Sequence, residues 1–179
     1  PLINDPYVEG DLVGNVVFAS HILMAAIITL GGTMQLVPWI RARAIGAHRW
    51  NGRVFMLAAI TASLGGLDVV WIRHGGSGDP LGHVSISLNA VLILLLAGLA
   101  WRAAATLNIV SHRRWAMRAF MVTNGVFFLR FGFGAWIVIT QAAPSALTFQ
   151  IFAFLSYLLP LALTEFYFRA KDAGGVAQL

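Results

Sequence analysis

The sequence predicts an all-α integral membrane protein with five transmembrane helices, four of them forming a bundle of two repeated hairpins and the fifth lying at its periphery. Three observations carry that expectation. Of 179 residues, 59% are apolar and 11% charged, with a mean hydropathy of +0.78, whereas a soluble domain carries roughly 25% charged residues. Five apolar runs are long enough to cross a bilayer, which takes about 20 residues of helix. The first four runs also repeat a frame. His21 and Trp39 recur 62 residues later as His83 and Trp101, His48 recurs after 64 as His112, and Trp71-Ile72 after 65 as Trp136-Ile137.

Taken in order, the spans are expected at 13–40, 52–72, 83–104, 114–140 and 146–168, within a single transmembrane domain covering 1–179. The connections are short: an arginine-rich one near 41–51, a Gly-rich one over 73–82, then 105–113 and 141–145. Two of them read as basic loops holding a histidine, His48 to Arg53 and His112 to Arg118. The chain opens on Pro1 rather than Met, so a removed signal and a further helix upstream both fit.

Charge sets the expected orientation. Arg41, Arg43, Arg49, Arg53, Arg102, Arg113, Arg114, Arg118, Arg169 and Lys171 fall on one side, ten of the twelve basic residues. Asp5, Glu9, Asp11 and Asp79 fall on the other. Positive charge concentrates on the cytoplasmic side, which places the N-terminus outside and the C-terminus in the cytoplasm of a bacterial inner membrane. The same distribution excludes nucleic acid as the partner of a basic chain (net charge +5), because the arginines punctuate apolar runs. The partner is the lipid bilayer.

There is no cysteine, which excludes thioether-linked haem, iron–sulfur ligation, a thiolate nucleophile and any disulfide. Redox chemistry would then fall to histidine. On the expected topology His21 and His83 form an outer pair on spans one and three, and His48 and His112 an inner pair on spans two and four. Neutral imidazoles on facing helices can hold a b-type haem without covalent attachment, and Arg49, Arg53, Arg113 and Arg118 could neutralise its propionates. Helical spacing puts small and polar residues on the histidine faces: Ala25, Ile28, Gly32 and Gln35 with His21, and Gly52, Ala59, Ala62 and Gly66 with His48. Such stripes suit either close helix packing or a flat cofactor. The plainer reading is that His and Trp mark span ends, since eighteen residues of helix cover about 27 Å, close to the hydrocarbon thickness of about 30 Å. Arginine following each inner histidine favours headgroup-level anchors for His48 and His112.

Four further residues stand out. Arg130 lies deep in span four, where a charge costs about 2.5–3.5 kcal/mol, so it should face the bundle and pair with Asp68 at similar depth. It could instead meet a haem propionate, a quinone oxygen or an anionic ligand near His21 and His83. Glu165 is expected to meet Arg114 or Arg118. His74, with His83 and Asp79, could form an outer metal site, although loop histidines are usually solvated.

The segments HRWNGRVF and HRRWAMRAF, together with His21 and the glycine-bearing first span, resemble the bacterial predicted-membrane-protein family known as domain of unknown function 2306. The likeness covers most of spans one to four and implies architecture rather than an activity. A looser resemblance is to the cytochrome b561 group, which implies two haems held by histidines alternating along four helices. Arg130 and the shallow inner histidines depart from that pattern.

Three functions follow from these residues. The sharpest is an electron carrier with haem b at His21 and His83, a second haem at His48 and His112, and quinone as redox partner. The plainest is a non-catalytic accessory subunit of a larger respiratory or photosynthetic membrane complex. The third is proton or small-solute transport through Asp68, Arg130 and Glu165.

Overall fold

The computed structural model describes residues 9–73 and 80–176, and within them the chain is helical with no strand. Helix α1 spans Leu12–Leu36, α2 Pro38–Arg43, α3 Ile45–Asp68, α4 Pro80–Ala105, α5 Ile109–Thr123, α6 Gly125–Thr140 and α7 Ala146–Val176, with a π-helical turn at Val69–Arg73 after α3. Four stretches are long and apolar enough to cross a membrane, and α5 with α6 makes a fifth, bent by 43°.

The helix ends explain where the observed spans depart from those expected. Asp11 starts α1 by accepting a hydrogen bond from the Gly14 amide at 2.9 Å. The first span stops at Leu36, not residue 40, because Pro38 drives Val37 into an extended conformation (φ −70°, ψ 114°). Pro38 then opens α2, where its missing N–H costs nothing. Arg43 stacks over the Trp39 ring at 5.9 Å, and both side chains are exposed.

The two basic segments are helical rather than loops. His48 to Arg53 forms the early turns of α3, and His112 to Arg118 lies wholly within α5. Neither segment contains a residue that must end a helix: Gly52 is a weak helix former, but it admits the Gln35 amide, whose atoms would stand 3.7–3.8 Å from a Cβ there. The true turn comes before α5, where Leu107 takes a left-handed φ of 57° and the Asn108 side chain caps the helix through the Ser111 amide at 3.0 Å.

The fourth span, expected to be continuous, breaks at Asn124. Thr123, Asn124 and Gly125 are poor helix formers in succession. The Asn124 side-chain amide donates to the Phe120 carbonyl at 2.9 Å, and its own carbonyl accepts from Phe127 and Phe128. The break sits inside the protein, with Asn124 buried. Helix α7 carries Pro160 internally, and Thr164 donates its hydroxyl to the Pro160 carbonyl at 2.8 Å.

By contacts the chain divides into two compact units, Pro1–Leu94 and Leu95–Leu179, with the boundary inside α4. In the first, α1 and α3 run antiparallel: His21 meets Ala62, Gly31 meets Asn51, and Gln35 meets His48. In the second, α7 runs antiparallel to both α5 and α6. Arg118 meets Glu165 at one end, and Phe133 stacks on Phe149 (5.0 Å between centroids) toward the other. The fourth span is broken at Asn124, whereas α7 continues through Pro160 as one helix.

Candidate functional site

The small-residue stripes are helix contacts in the first unit. Gly31 comes so close to α3 that a Cβ there would stand 3.0 Å from the Asn51 Oδ1. That approach lets Asn51 Nδ2 donate to the Gly31 carbonyl at 2.8 Å. One turn on, Gln35 Nε2 donates to the His48 carbonyl at 2.9 Å. Interhelical hydrogen bonds in lipid are worth about 0.6 kcal/mol on average and up to about 1.7.

At the other end of this interface lies His21, half-buried, with Nδ1 3.1 Å from the Ala62 carbonyl oxygen. A carbonyl only accepts, so Nδ1 carries a proton, and the matching tautomer of the ring has its lone pair on Nε2. This arrangement is common in metal-ligating histidines. Gly65 and Gly66 make room for the ring. A Cβ on Gly65 would lie 3.8 Å from His21 Nδ1, and one on Gly66 3.8 Å from Cε1.

His83 reaches the same end from α4. Its ring packs against Trp71 at 5.5 Å, tilted by 40°, and Trp71 Nε1 donates to the Ser87 hydroxyl at 2.9 Å. The position where a Gly66 Cβ would stand is within 4.0 Å of Ile86, one turn beyond His83. Hence α1, α3 and the start of α4 converge around Gly66, and they bring His21 and His83 to one end of the unit. Trp71 owes its placement to the π-helical turn, a feature frequent at functional sites. Its participation was not visible in the sequence, where it counted only as a repeat marker.

The inner histidines are placed differently. His48 is half-buried near the start of α3 in the first unit. His112 belongs to the second unit, where its Nδ1 lies 2.9 Å from the Ala100 carbonyl. This is the same tautomer-fixing bond that His21 makes, and it again leaves Nε2 available. Asp68 ends α3, half-buried, while Arg130 is an exposed residue of α6 in the second unit. The suggested site of His74 and Asp79 lies outside the described residues. Among the described residues no group of three or more His, Cys, Asp or Glu side chains could hold a metal ion.

Glu165 meets Arg118, as its depth suggested. Arg118 grips the carboxylate with both Nε and Nη2, the latter 3.0 Å from Oε2, and Arg114 pairs with Asp172. Both guanidiniums stack on Phe168, at 5.4 Å for Arg114 and 4.9 Å for Arg118. The Asp172 pairing was missed because it lies past the end expected for the fifth span. The extension of α7 to Val176 supplies it.

The first unit thus brings two imidazoles, His21 and His83, to one end, and Gly65 and Gly66 receive the His21 ring itself. No curated protein and no solved structure matches the chain. A family model described as "Predicted membrane protein (DUF2306)" matches residues 18–168, and with it the apolar helices and the two His-Arg segments find their place. The chain belongs to the DUF2306 family of membrane proteins.

Proposed function

We propose that the protein is a membrane electron carrier that holds a b-type haem through His21 and His83 and exchanges electrons with a quinone. The observation that carries this reading is the His21 Nδ1 bond to the Ala62 carbonyl, which selects the tautomer whose lone pair is on Nε2. A haem bound there would supply one-electron redox chemistry at its iron. The Ala62 carbonyl orients the His21 ring. Trp71, tethered to Ser87, restricts the rotation of His83. His112, with its matching bond to Ala100, extends the proposal to a second haem shared with His48. Arg130, with Asp68 as its ion-pair partner, is the group proposed to meet a propionate or quinone oxygen.

The proposal includes a core of two repeated hairpins with the fifth span outside it, similar to the cytochrome b561 arrangement. It also includes a bacterial inner-membrane location with the basic side cytoplasmic, supported by the ten clustered basic residues. Haemin titrated into detergent-purified protein tests the central point. Saturable binding with a sharp Soret band, lost in His21→Ala and in His83→Ala, is expected. Equal uptake by wild type and both variants would overturn it. A protein that binds no haem and co-purifies with a larger respiratory or photosynthetic complex would instead be an accessory subunit.

Transport of protons or a small solute is the second reading, favoured by the break in the fourth span at Asn124. Transporters build their sites where helices are discontinuous near the midplane. Liposome flux that Asn124→Leu abolishes would support it, and flux unchanged by that substitution would not.

A further inference from the structure

A groove of about 690 Å³ runs along α7 in the second unit, walled by Met117 and Met121 of α5, Phe128 and Phe131 of α6, and α7 itself from Phe152 to Tyr167. That stretch of α7 covers about 22 Å, more than the roughly 15 Å that one leaflet contributes to a hydrocarbon core of about 30 Å. Its walls are almost wholly apolar, so a hydrocarbon chain suits it. The chemistry changes abruptly at one end. Tyr167, the last wall residue, packs on Phe168 at 5.6 Å, and Phe168 carries the Arg114 and Arg118 guanidiniums. Arg113, Arg169 and Lys171 stand exposed in the same helical turns. Among the described residues, five cationic side chains there face two carboxylates, Glu165 and Asp172, which are already paired. The end of the groove therefore keeps an excess of positive charge.

We propose that this groove is a binding site for an anionic phospholipid, one acyl chain lying along α7 and the phosphate held by the basic cluster at the Tyr167 end. Charge complementarity selects the headgroup, since a zwitterionic lipid fills the groove equally well but gains little from the excess charge. Arg113 and Arg169 are the contacts left to the phosphate, because Arg114 and Arg118 are engaged by carboxylates. This inference does not depend on the redox proposal, as no histidine lines the groove.

Native mass spectrometry of the purified protein, titrated with phosphatidylglycerol or with phosphatidylcholine of identical acyl chains, tests it. Phosphatidylglycerol should bind at least tenfold tighter. Arg169→Gln should weaken it about fivefold, the effect of one basic side chain near an anionic headgroup, and leave phosphatidylcholine unchanged. Leu163→Trp, at an exposed wall position, should weaken both lipids by filling the groove. If that variant fails to fold, Leu159→Trp, one turn away on the same wall, gives the same reading. Equal affinity for the two lipids would overturn the proposal. So would a phosphatidylglycerol preference that neither the arginine nor the groove variant alters.

Discussion

Replacing Gly31 by alanine isolates the tightest contact in the first unit. The added methyl would stand 3.0 Å from Asn51 Oδ1, closer than a carbon and an oxygen comfortably approach, and both atoms belong to a packed pair of helices. The Asn51 amide must move, and moving it stretches or breaks its 2.8 Å bond to the Gly31 carbonyl. Losing the bond costs about 0.6–1.7 kcal/mol in a bilayer or micelle, and forcing an extra methylene-sized group into a packed contact costs about 1–3 kcal/mol. Together the variant should lose about 2–4 kcal/mol. The two parts separate in a double-mutant cycle, because Asn51→Ala removes both the obstructing oxygen and the donor. Gly31→Ala should cost less than about 1 kcal/mol in that background, by the ordinary tolerance of small volume changes. Equilibrium unfolding in mixed micelles measures both. If Gly31→Ala proves as damaging without Asn51 as with it, the contact described is not what holds α1 against α3.

Other substitutions probe the remaining elements. Leu107→Gly should stabilise the protein by about 1 kcal/mol, because Leu107 is exposed and holds a left-handed φ that costs a side chain about 1–2 kcal/mol; an unchanged or lowered unfolding midpoint would contradict this. Glu165→Gln should destabilise by about 1–3 kcal/mol, short of a fully buried pair, since its side chain is 38% exposed while that of Arg118 is only 14% exposed. Adding Arg118→Gln should recover part of the loss, as judged by the same unfolding assay. Asn124→Leu should straighten the fourth span, and electron paramagnetic resonance distances between spin labels near residues 112 and 138 should lengthen; unchanged distances would mean the bend does not originate at Asn124.

Much of this architecture was legible in the sequence, because hydropathy responds directly to the bilayer. The five apolar runs, the clustering of arginine and the Glu165–Arg118 pairing depend on composition and on spacing within helices. The interruptions were less legible. Pro38 acts on the residue before it, so the first span ended earlier than its hydropathy implied. At Asn124 three weak helix formers stand together, none of which breaks a helix alone. The histidines were recognised as a set, but their individual bonds were not. His21 and His112 each bond a backbone carbonyl, on α3 and α4 respectively. A carbonyl has no signature in the sequence, and which one meets a histidine depends on the register between helices. The glycines beside His48 on its helical face turned out to serve the neighbouring helix instead. Gly52 receives Gln35, and Gly66 receives His21.

The redox proposal rests on His21 keeping Nε2 free for a metal, and a dithionite-reduced minus oxidised absorption spectrum of protein purified from haem-replete cells tests it most directly. The account predicts a reducible α band and a shifted Soret band that disappear in His21→Ala. A colourless protein, or a haem spectrum unchanged in both His21→Ala and His83→Ala, would contradict it.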